Sequence, residues 1–136
     1  MPSEPIALTP GLTAAVAGTV TEATTASGVG SGDVAVLATP EVAALAERAA
    51  VRAVAGRLPA GQTSVGTSIS VEHLAPTPIG ATVRATARLE SVDGRRLTFS
   101  FAVTDPAGEV ARGTHVRVIV DRARFEASAA ERIPPG

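Results

Sequence analysis

Residues 39–54 read TPEVAALAERAAVRAV, and this stretch decides the fold. It opens with three residues typical of a helix start: the hydroxyl of Thr39 can cap free N–H groups, Pro40 needs no donor in the first turn, and Glu41 favours the positive end of the helix dipole. Apolar residues then recur at helical spacing. The pattern predicts one helix from about Pro40 to Ala55, and Gly56 is the signal that stops it.

From residue 64 onward the sequence changes to a period of two, which is typical of strands. The segment SVGTSISVEH (64–73) predicts a strand with Val65, Thr67, Ile69, Val71 and His73 on one face. Prolines then interrupt the pattern at 76 and 78, because proline cannot donate to a sheet ladder. Further alternation predicts strands over 82–90, 96–103 and 110–121, with a hairpin at 93–94.

The segment before the helix gives a weaker signal. A weak alternation of apolar residues from Leu12 to Val20 predicts one more strand. The expected order is strand, long helix, then four strands in a meander, with a short helical or frayed tail over 122–136. The fold class is therefore α+β. One helix of about four turns cannot cover both faces of a five-stranded sheet, so we expect a homodimer, with a dimer of dimers left open.

Composition limits the function classes. The chain has 136 residues, no cysteine, two histidines and a net charge of −1. We expect one domain over 1–136, with about nine N-terminal and twelve C-terminal residues peripheral. Disulfides and thiolate metal sites are excluded, and we expect no metal site. Near-neutral charge and three aromatic residues argue against nucleic acid as a partner.

The first ten residues, MPSEPIALTP, contain no basic stretch followed by an apolar one. No window of the sequence approaches the roughly 18 apolar residues of a membrane span. We therefore expect a cytoplasmic protein without a membrane partner.

Glu47 is the first candidate for chemistry. It lies away from the polar face of the predicted helix, at the border of the stripe that carries Val42, Ala46 and Ala50. A carboxylate there loses part of its solvation, which makes it a candidate base or nucleophile. The alternative is a side chain that bends out to water.

The two histidines lie on different strands. His73 ends the strand that we expect to face the helix, where it is either a titratable active group or a hydrogen-bonded rim residue. His115 falls out of register with Val116, Val118 and Val120, so we expect it to face solvent or a partner. Gly66, within a run of small residues, would let a ligand or backbone come close.

Four segments together carry a family resemblance: TPEVAALAERAAVRAV, SVGTSISVEHLAPTPIG, the hairpin LESVDGRRLTF and the late GTHVRVIV. In this order and spacing, over roughly residues 34–125, the chain resembles the fluoroacetyl-CoA thioesterases of the hotdog fold. The resemblance implies a long helix wrapped by a curved antiparallel sheet of about five strands, paired as a dimer with active sites at the subunit interface.

The resemblance also implies the site. The family's threonine, glutamate and histidine fall on Thr39, Glu47 and His73, and its glycine near the acyl group falls on Gly66. Thr39 would orient the acyl group, Glu47 would be nucleophile or general base, and His73 would be the acid/base partner. Arginines such as Arg117 or Arg122 would meet the phosphates of coenzyme A. No cofactor is implied, because coenzyme A is part of the substrate.

Thr39 and Glu47 are eight residues apart, about 12 Å along an unbroken helix, so they cannot touch within it. Either the chain bends near Pro40 or the site uses residues from both subunits, and we favour the second. The family's fluoroacetyl-specific enzyme has an aromatic gate before the helix, whereas residues 31–38 here read SGDVAVLA. This departure predicts a small or short-chain acyl-CoA rather than fluoroacetyl-CoA. Two alternatives stay open: a non-catalytic acyl-CoA or small-ligand binding protein, and an enoyl-CoA hydratase-like enzyme.

Overall fold

A five-stranded antiparallel sheet wraps around one long helix in the computed structural model, which describes residues 7–136. The α+β class is confirmed. A single 3₁₀ turn, Glu22–Thr24, precedes the first helix. The elements are, in chain order, β1 (Thr13–Thr19), α1 (Ala26–Val29), α2 (Thr39–Ala53), β2 (Gln62–His73), β3 (Thr82–Asp93), β4 (Arg96–Asp105), β5 (Gly108–Asp121) and α3 (Arg122–Ala130).

The sequence predicts that both ends of the chain are peripheral to the domain. Residues 1–6, most of the N-terminal segment expected to be peripheral, lie outside the described residues. At the other end, α3 has no buried residue, and its N-terminus is capped by the carboxylate of Asp121. Within 7–136, no helix is long and apolar enough to cross a membrane.

The strand order is β1-β3-β4-β5-β2, so the predicted four-strand meander is wrong. Only β3, β4 and β5 follow one another through tight turns, whereas β2 pairs with β5. After β2, the N–H groups of Leu74 and Ala75 still donate to the carbonyl of Val110 in β5. The proline-containing remainder of segment 74–81 then crosses to the other edge of the sheet. The backbone N–H of Leu37 holds this crossing by donating to the carbonyl of Thr77. As a result, β1 and β2 are the two edges of the sheet.

The core lies between α2 and the concave face of the sheet. The helix buries small side chains, which lets the strands approach its axis closely, while the sheet contributes the larger residues. The buried helix residues are Val42, Leu45, Ala46, Ala49, Ala50 and Ala53. The largest fully buried apolar side chains of the sheet are Phe99, Leu89 and Leu97, and Phe101 is nearly as buried.

The start of α2 differs from the prediction. Ala38 is the N-cap, no side chain caps the helix, and Thr39 is its first residue with Pro40 next. The expected capping role of Thr39 is therefore wrong, and its hydroxyl is free for another partner. The helix ends at Ala53, two residues before the predicted end, and Gly56 follows with a φ of 74°.

A bulge divides β2. The pairing with β5 shifts between Gly66 and Ser68, which leaves Thr67 as an extra residue. The extra residue reverses the side-chain alternation, so Gly66 and Ile69 both face the helix while Val65 faces outward with its cross-strand neighbour Val118. The predicted single face from Val65 to His73 is therefore correct only after the bulge.

Candidate active site

The first residue of α2 and the last residue of β2 meet at one end of the helix. Thr39 Oγ1 lies 2.8 Å from His73 Nδ1, which is a hydrogen bond. The other ring nitrogen, His73 Nε2, is buried and has no hydrogen-bond partner among the described residues. Buried polar atoms are nearly always paired in folded proteins, so this nitrogen marks a place where a further partner fits.

Glu47 lies two turns further along α2. Its side chain is 45% exposed, and Oε2 is 3.4 Å from Nη1 of Arg117. The carboxylate lies directly over Gly66, where an added Cβ would come within 2.9 Å of Oε2. The sequence left two alternatives for Glu47, a desolvated carboxylate and a side chain that bends out to water. The structure lies between them, because the carboxylate reaches solvent but is paired with the buried cation of Arg117.

Glu47 and His73 are not together in one chain. Glu47 contacts β2 at Gly66, and His73 is seven residues further along the strand, roughly 20 Å away. The three predicted catalytic residues therefore form two groups, one at each end of β2. Both groups lie on the concave side of the same edge strand.

Arg117 is buried between β5 and β2, with 6% of its surface exposed. Its Nε donates to the hydroxyl of Ser64 at 2.9 Å and its Nη2 to the carbonyl of Ser64, also at 2.9 Å. Burial lowers the pKa of Arg117, an effect that the charge of Glu47 and the hydrogen bond to it oppose. A guanidinium held in this way is not available for coenzyme A phosphates, so the structure speaks against that expected contact.

His115 faces the core, and the expectation that it faces outward is wrong. It is 2% exposed, its Nδ1 lies 2.8 Å from the carbonyl oxygen of Ser68, and its Nε2 lies 3.2 Å from Nη1 of Arg117. Burial lowers the pKa of His115; the Ser68 hydrogen bond opposes this, the charge of Arg117 adds to it, and the charge of Glu47 opposes it.

The missed signal lay in the small residues of β5. Val116, Val118 and Val120 gave the stronger apolar alternation, yet they lie on the outer, partly exposed face. The inner face is carried by Ala111, Gly113, His115, Arg117 and Ile119, whose mixture of small and polar residues concealed it.

Two cavities and a groove adjoin these groups. Glu47, Gly66 and His115 line a cavity of about 220 Å³ beside the bulge, with Thr67, Ser68 and Ile69. Glu47 and Arg117 also border a groove of about 610 Å³ between α2 and β1, with Arg48 and Arg52 along it. The second cavity, of about 200 Å³, is lined by His73 and the start of the crossing segment.

Residues 20–123 match the family described as fluoroacetyl-CoA-specific thioesterase. The chain is also 43% identical over 101 residues to the fluoroacetyl-CoA thioesterase of Streptantibioticus cattleyicolor, covering 74% of this chain and 73% of that protein. This chain belongs to the fluoroacetyl-CoA-specific thioesterase family.

Solved structures agree with that membership. The crystal structure of the fluoroacetyl-CoA thioesterase FlK superposes with a TM-score of 0.88 at 33% identity, over 95% of this chain and all of that one. A hot-dog-like protein from Thermanaerovibrio acidaminovorans superposes with a TM-score of 0.85 at 28% identity, over 93% of this chain and 94% of that one. The hotdog fold is confirmed. Variants of FlK have been solved with fluoroacetate and with acetyl-CoA.

Proposed function

We propose that this chain is an acyl-CoA thioesterase that hydrolyses the thioester of a small or short-chain acyl-CoA. One observation carries the proposal. A carboxylate held by an arginine and an imidazole held by a threonine lie on the concave side of the same edge strand, in a chain of the thioesterase family.

In this proposal, Glu47 activates the attack on the thioester carbonyl, either as general base for water or as the nucleophile itself. As general base, Glu47 takes a proton from water while the water oxygen bonds to the carbonyl carbon and the C–S bond breaks. As nucleophile, Glu47 bonds to that carbon through its own oxygen, the C–S bond breaks, and water then hydrolyses the resulting anhydride and frees Glu47. The proton taken from water passes through His73 to the departing thiolate of coenzyme A, and Thr39 holds the imidazole by its Nδ1. The reaction needs no cofactor beyond the coenzyme A of the substrate.

The proposed site is completed by a second copy of the chain. The free edge of β2 can pair with the same edge of another copy, antiparallel about a twofold axis. If that axis passes through Ser70, with Thr67 again the extra residue of the bulge, Gly66 of one subunit lies opposite His73 of the partner subunit. Directly opposed residues share a face of the sheet, so Glu47 would then meet the buried Nε2 of the partner's His73.

The size of the acyl group is inferred from the cavity beside Gly66. Its volume is about 220 Å³, and Ile69 and the bulge bound it on the strand side, which favours an acyl group of a few carbons. Aromatic residues are absent from segment 31–38, so the proposal includes no selection for the fluorinated substrate. We also propose a cytoplasmic location for the enzyme.

The activity is tested by incubating the protein with acetyl-, propionyl-, butyryl- and fluoroacetyl-CoA and detecting the free thiol. We expect thiol release from at least one non-fluorinated substrate. Ligand-dependent thermal stabilisation without turnover would instead indicate a binding protein. Loss of enoyl absorbance from an enoyl-CoA without thiol release would indicate a hydratase.

The shared site is tested by mixing two inactive variants, Glu47→Gln and His73→Asn. Refolding them together at equal amounts gives dimers of which roughly half are mixed, and each mixed dimer has one site with both native residues. We expect about a quarter of wild-type activity, from two nearly inactive parents. Failure of the mixture to exceed its parents, with mixed dimers demonstrated, would contradict a site built from both subunits.

A further inference from the structure

His115 is a buried polar residue that the proposed hydrolysis does not use. It lies among apolar side chains, with its ring 6.2 Å from that of Phe99 at an interplanar angle of 29°. A leucine or phenylalanine could fill such a place without the cost of burying two nitrogen atoms. The hydrogen bonds of the ring therefore call for an explanation.

The partners of His115 select one protonation state. The carbonyl oxygen of Ser68 can only accept, so Nδ1 carries the proton of that hydrogen bond. The guanidinium of Arg117 can only donate, so Nε2 must offer its lone pair. Only the neutral ring with its proton on Nδ1 satisfies both, since an imidazolium would direct an N–H group at a cation.

The acceptor at Nε2 controls the direction of the Arg117 guanidinium. Ser64 holds one side of this planar group at Nε and Nη2, and His115 holds Nη1 on the other side. Nη1 is also the atom that faces Glu47, at 3.4 Å from Oε2. Because the group is rigid and planar, fixing both sides fixes where Nη1 meets the carboxylate.

The bulge in β2 links these contacts of His115 and Arg117 to the place where Glu47 would meet the substrate. The same shift between Gly66 and Ser68 turns Gly66 toward Glu47 and brings the Ser68 carbonyl to His115. The groups that face His115 are Ser68 from β2, Phe99 from β4, Arg117 from β5 and Glu47 from α2. Of these, Arg117 and Glu47 are the charged ones.

We propose that His115 is a positioning residue, which as a neutral hydrogen-bond acceptor fixes Arg117 and, through it, the carboxylate of Glu47. The proposal rests on the proposed role of Glu47 in hydrolysis. It assigns no contact between His115 and the substrate. Its effect is on the orientation of the carboxylate in the reaction, so it alters kcat rather than KM.

Two substitutions separate the loss of the hydrogen-bond acceptor from a change in packing. His115→Leu fills a similar space but removes the acceptor, and we expect kcat to fall about tenfold or more with KM nearly unchanged. His115→Gln places an amide oxygen near Nη1, an acceptor that is not protonated at neutral pH. We expect this variant to retain most of the wild-type kcat. If His115 had only a structural role, kcat of each variant would fall in proportion to the loss in its melting temperature.

A double-mutant cycle shows whether the effect passes through Arg117. If it does, adding His115→Leu to an Arg117→Gln protein leaves kcat unchanged, because the guanidinium to be positioned is gone. Equal losses from His115→Leu in both backgrounds would overturn the proposal. So would wild-type kcat in His115→Leu while Glu47→Gln is inactive, a result that leaves the thioesterase function intact.

A spectroscopic measurement on a protein that retains His115 covers the case in which His115→Leu does not fold. The chain has two histidines, so long-range ¹H–¹⁵N spectra of a His73→Asn protein contain only the ring of His115. We expect a neutral ring with the proton on Nδ1 at pH 7. A proton on Nε2, or an imidazolium, would overturn the proposal. Absence of thiol release by the wild-type protein would instead remove the proposed function and this inference with it.

Discussion

The two ends of β2 carry groups of different completeness. At the bulge end, every polar atom of the Glu47, Arg117 and His115 group that the structure buries has a partner within the chain, supplied by Ser64 and Ser68. At the other end, the imidazole of His73 is bonded to Thr39 through one nitrogen, and its second nitrogen is buried without a partner in the described part of the chain.

This difference indicates which parts of the site one chain can prepare alone. The carboxylate is oriented within a single fold because β5, β2 and α2 converge on it. The imidazole is oriented by one contact and needs another group at Nε2, which in our proposal is the substrate or the partner subunit's Glu47. Substitutions should therefore act at the two ends in distinguishable ways.

The largest expected effect follows Glu47→Gln. Removing the charge that activates the attack should lower kcat by about 10³-fold, within the range typical of general-base removal. The melting temperature should fall as well, because the buried Arg117 loses its counter-charge, but the half-exposed side chain leaves the packing of the core unchanged. Thiol release under saturating acyl-CoA measures the first and thermal unfolding the second.

Glu41→Gln is the matched control for that substitution. Glu41 is a half-buried carboxylate in the first turn of the same helix, and it makes no contact with Gly66 or Arg117. We expect wild-type kcat from this variant. If Glu41→Gln and Glu47→Gln lost activity equally, the loss would reflect the charge of the helix rather than the carboxylate at the site.

The sequence predicted the helix and the β3–β4 hairpin because their signals are local. The Ala-rich stripe from Val42 to Ala53 requires only helical spacing, and Asp93-Gly94 requires only a tight turn. The pairing of β2 with β5 depends on where the crossing segment 74–81 goes, and that path is set by contacts with residues distant in sequence. Local alternation carries no information about that path.

The candidate site divides in the same way. Thr39 and His73 could be placed by resemblance, but their direct hydrogen bond could not, because the sequence favoured a capping role for the hydroxyl. The His115 and Arg117 contacts could not be predicted, since they depend on the bulge at Thr67. In SVGTSIS, small and polar residues fit either side of the sheet, so the sequence does not reveal the one-residue shift.

Thr39→Val tests the less complete end. Valine has nearly the shape of threonine, so it removes the hydrogen bond to His73 Nδ1 while keeping the packing. We expect kcat to fall roughly 10- to 100-fold, because an unpaired imidazole loses its fixed orientation and tautomer. Stability should be nearly unchanged, since Thr39 does not cap α2.

Thr39→Ser is the control for that loss, since it keeps the hydroxyl. It should retain most of kcat. If Thr39→Ser were as impaired as Thr39→Val, the methyl group rather than the hydrogen bond would explain the effect, and the role given to this pair would be wrong.

Two glycines give a further comparison between site and fold. In Gly66→Ala, the new methyl group would lie 2.9 Å from Glu47 Oε2 and 3.1 Å from His115 Cε1, and the carboxylate can move away. We expect kcat to fall about tenfold through misplacement of the carboxylate, with little change in melting temperature.

Gly113→Ala should give the opposite result. There the methyl group would overlap the backbone carbonyl of Ser70 on the paired strand and lie 2.7 Å from Phe101 Cζ. Neither neighbour can move freely, so stability should fall by about 1–3 kcal/mol, the usual cost of overpacking. Chemical denaturation of both variants measures this, and a Gly66→Ala protein as unstable as Gly113→Ala would contradict the distinction.

The smallest expected effect concerns the crossing segment that leads away from His73. Thr77, which is fully buried, donates to Asp105 Oδ2 at 2.8 Å and so ties this segment to the β4–β5 turn. That hydrogen bond, followed by one from the backbone N–H of Ala107, lowers the pKa of Asp105 below its ordinary 3.8. A carboxylate whose pKa is lower in the folded state stabilises the fold above the unfolded-state pKa, and this contribution is lost as the pH falls through the folded-state pKa.

Asp105→Asn should therefore be less stable than the wild type at pH 7, and the difference should shrink as the pH falls below about 4. Thermal unfolding of both proteins between pH 7 and pH 3 measures the change. A difference in melting temperature that stays constant over this range would mean that the amide fails for reasons of shape alone. The charge of Asp105 would then contribute nothing to holding the segment that follows His73.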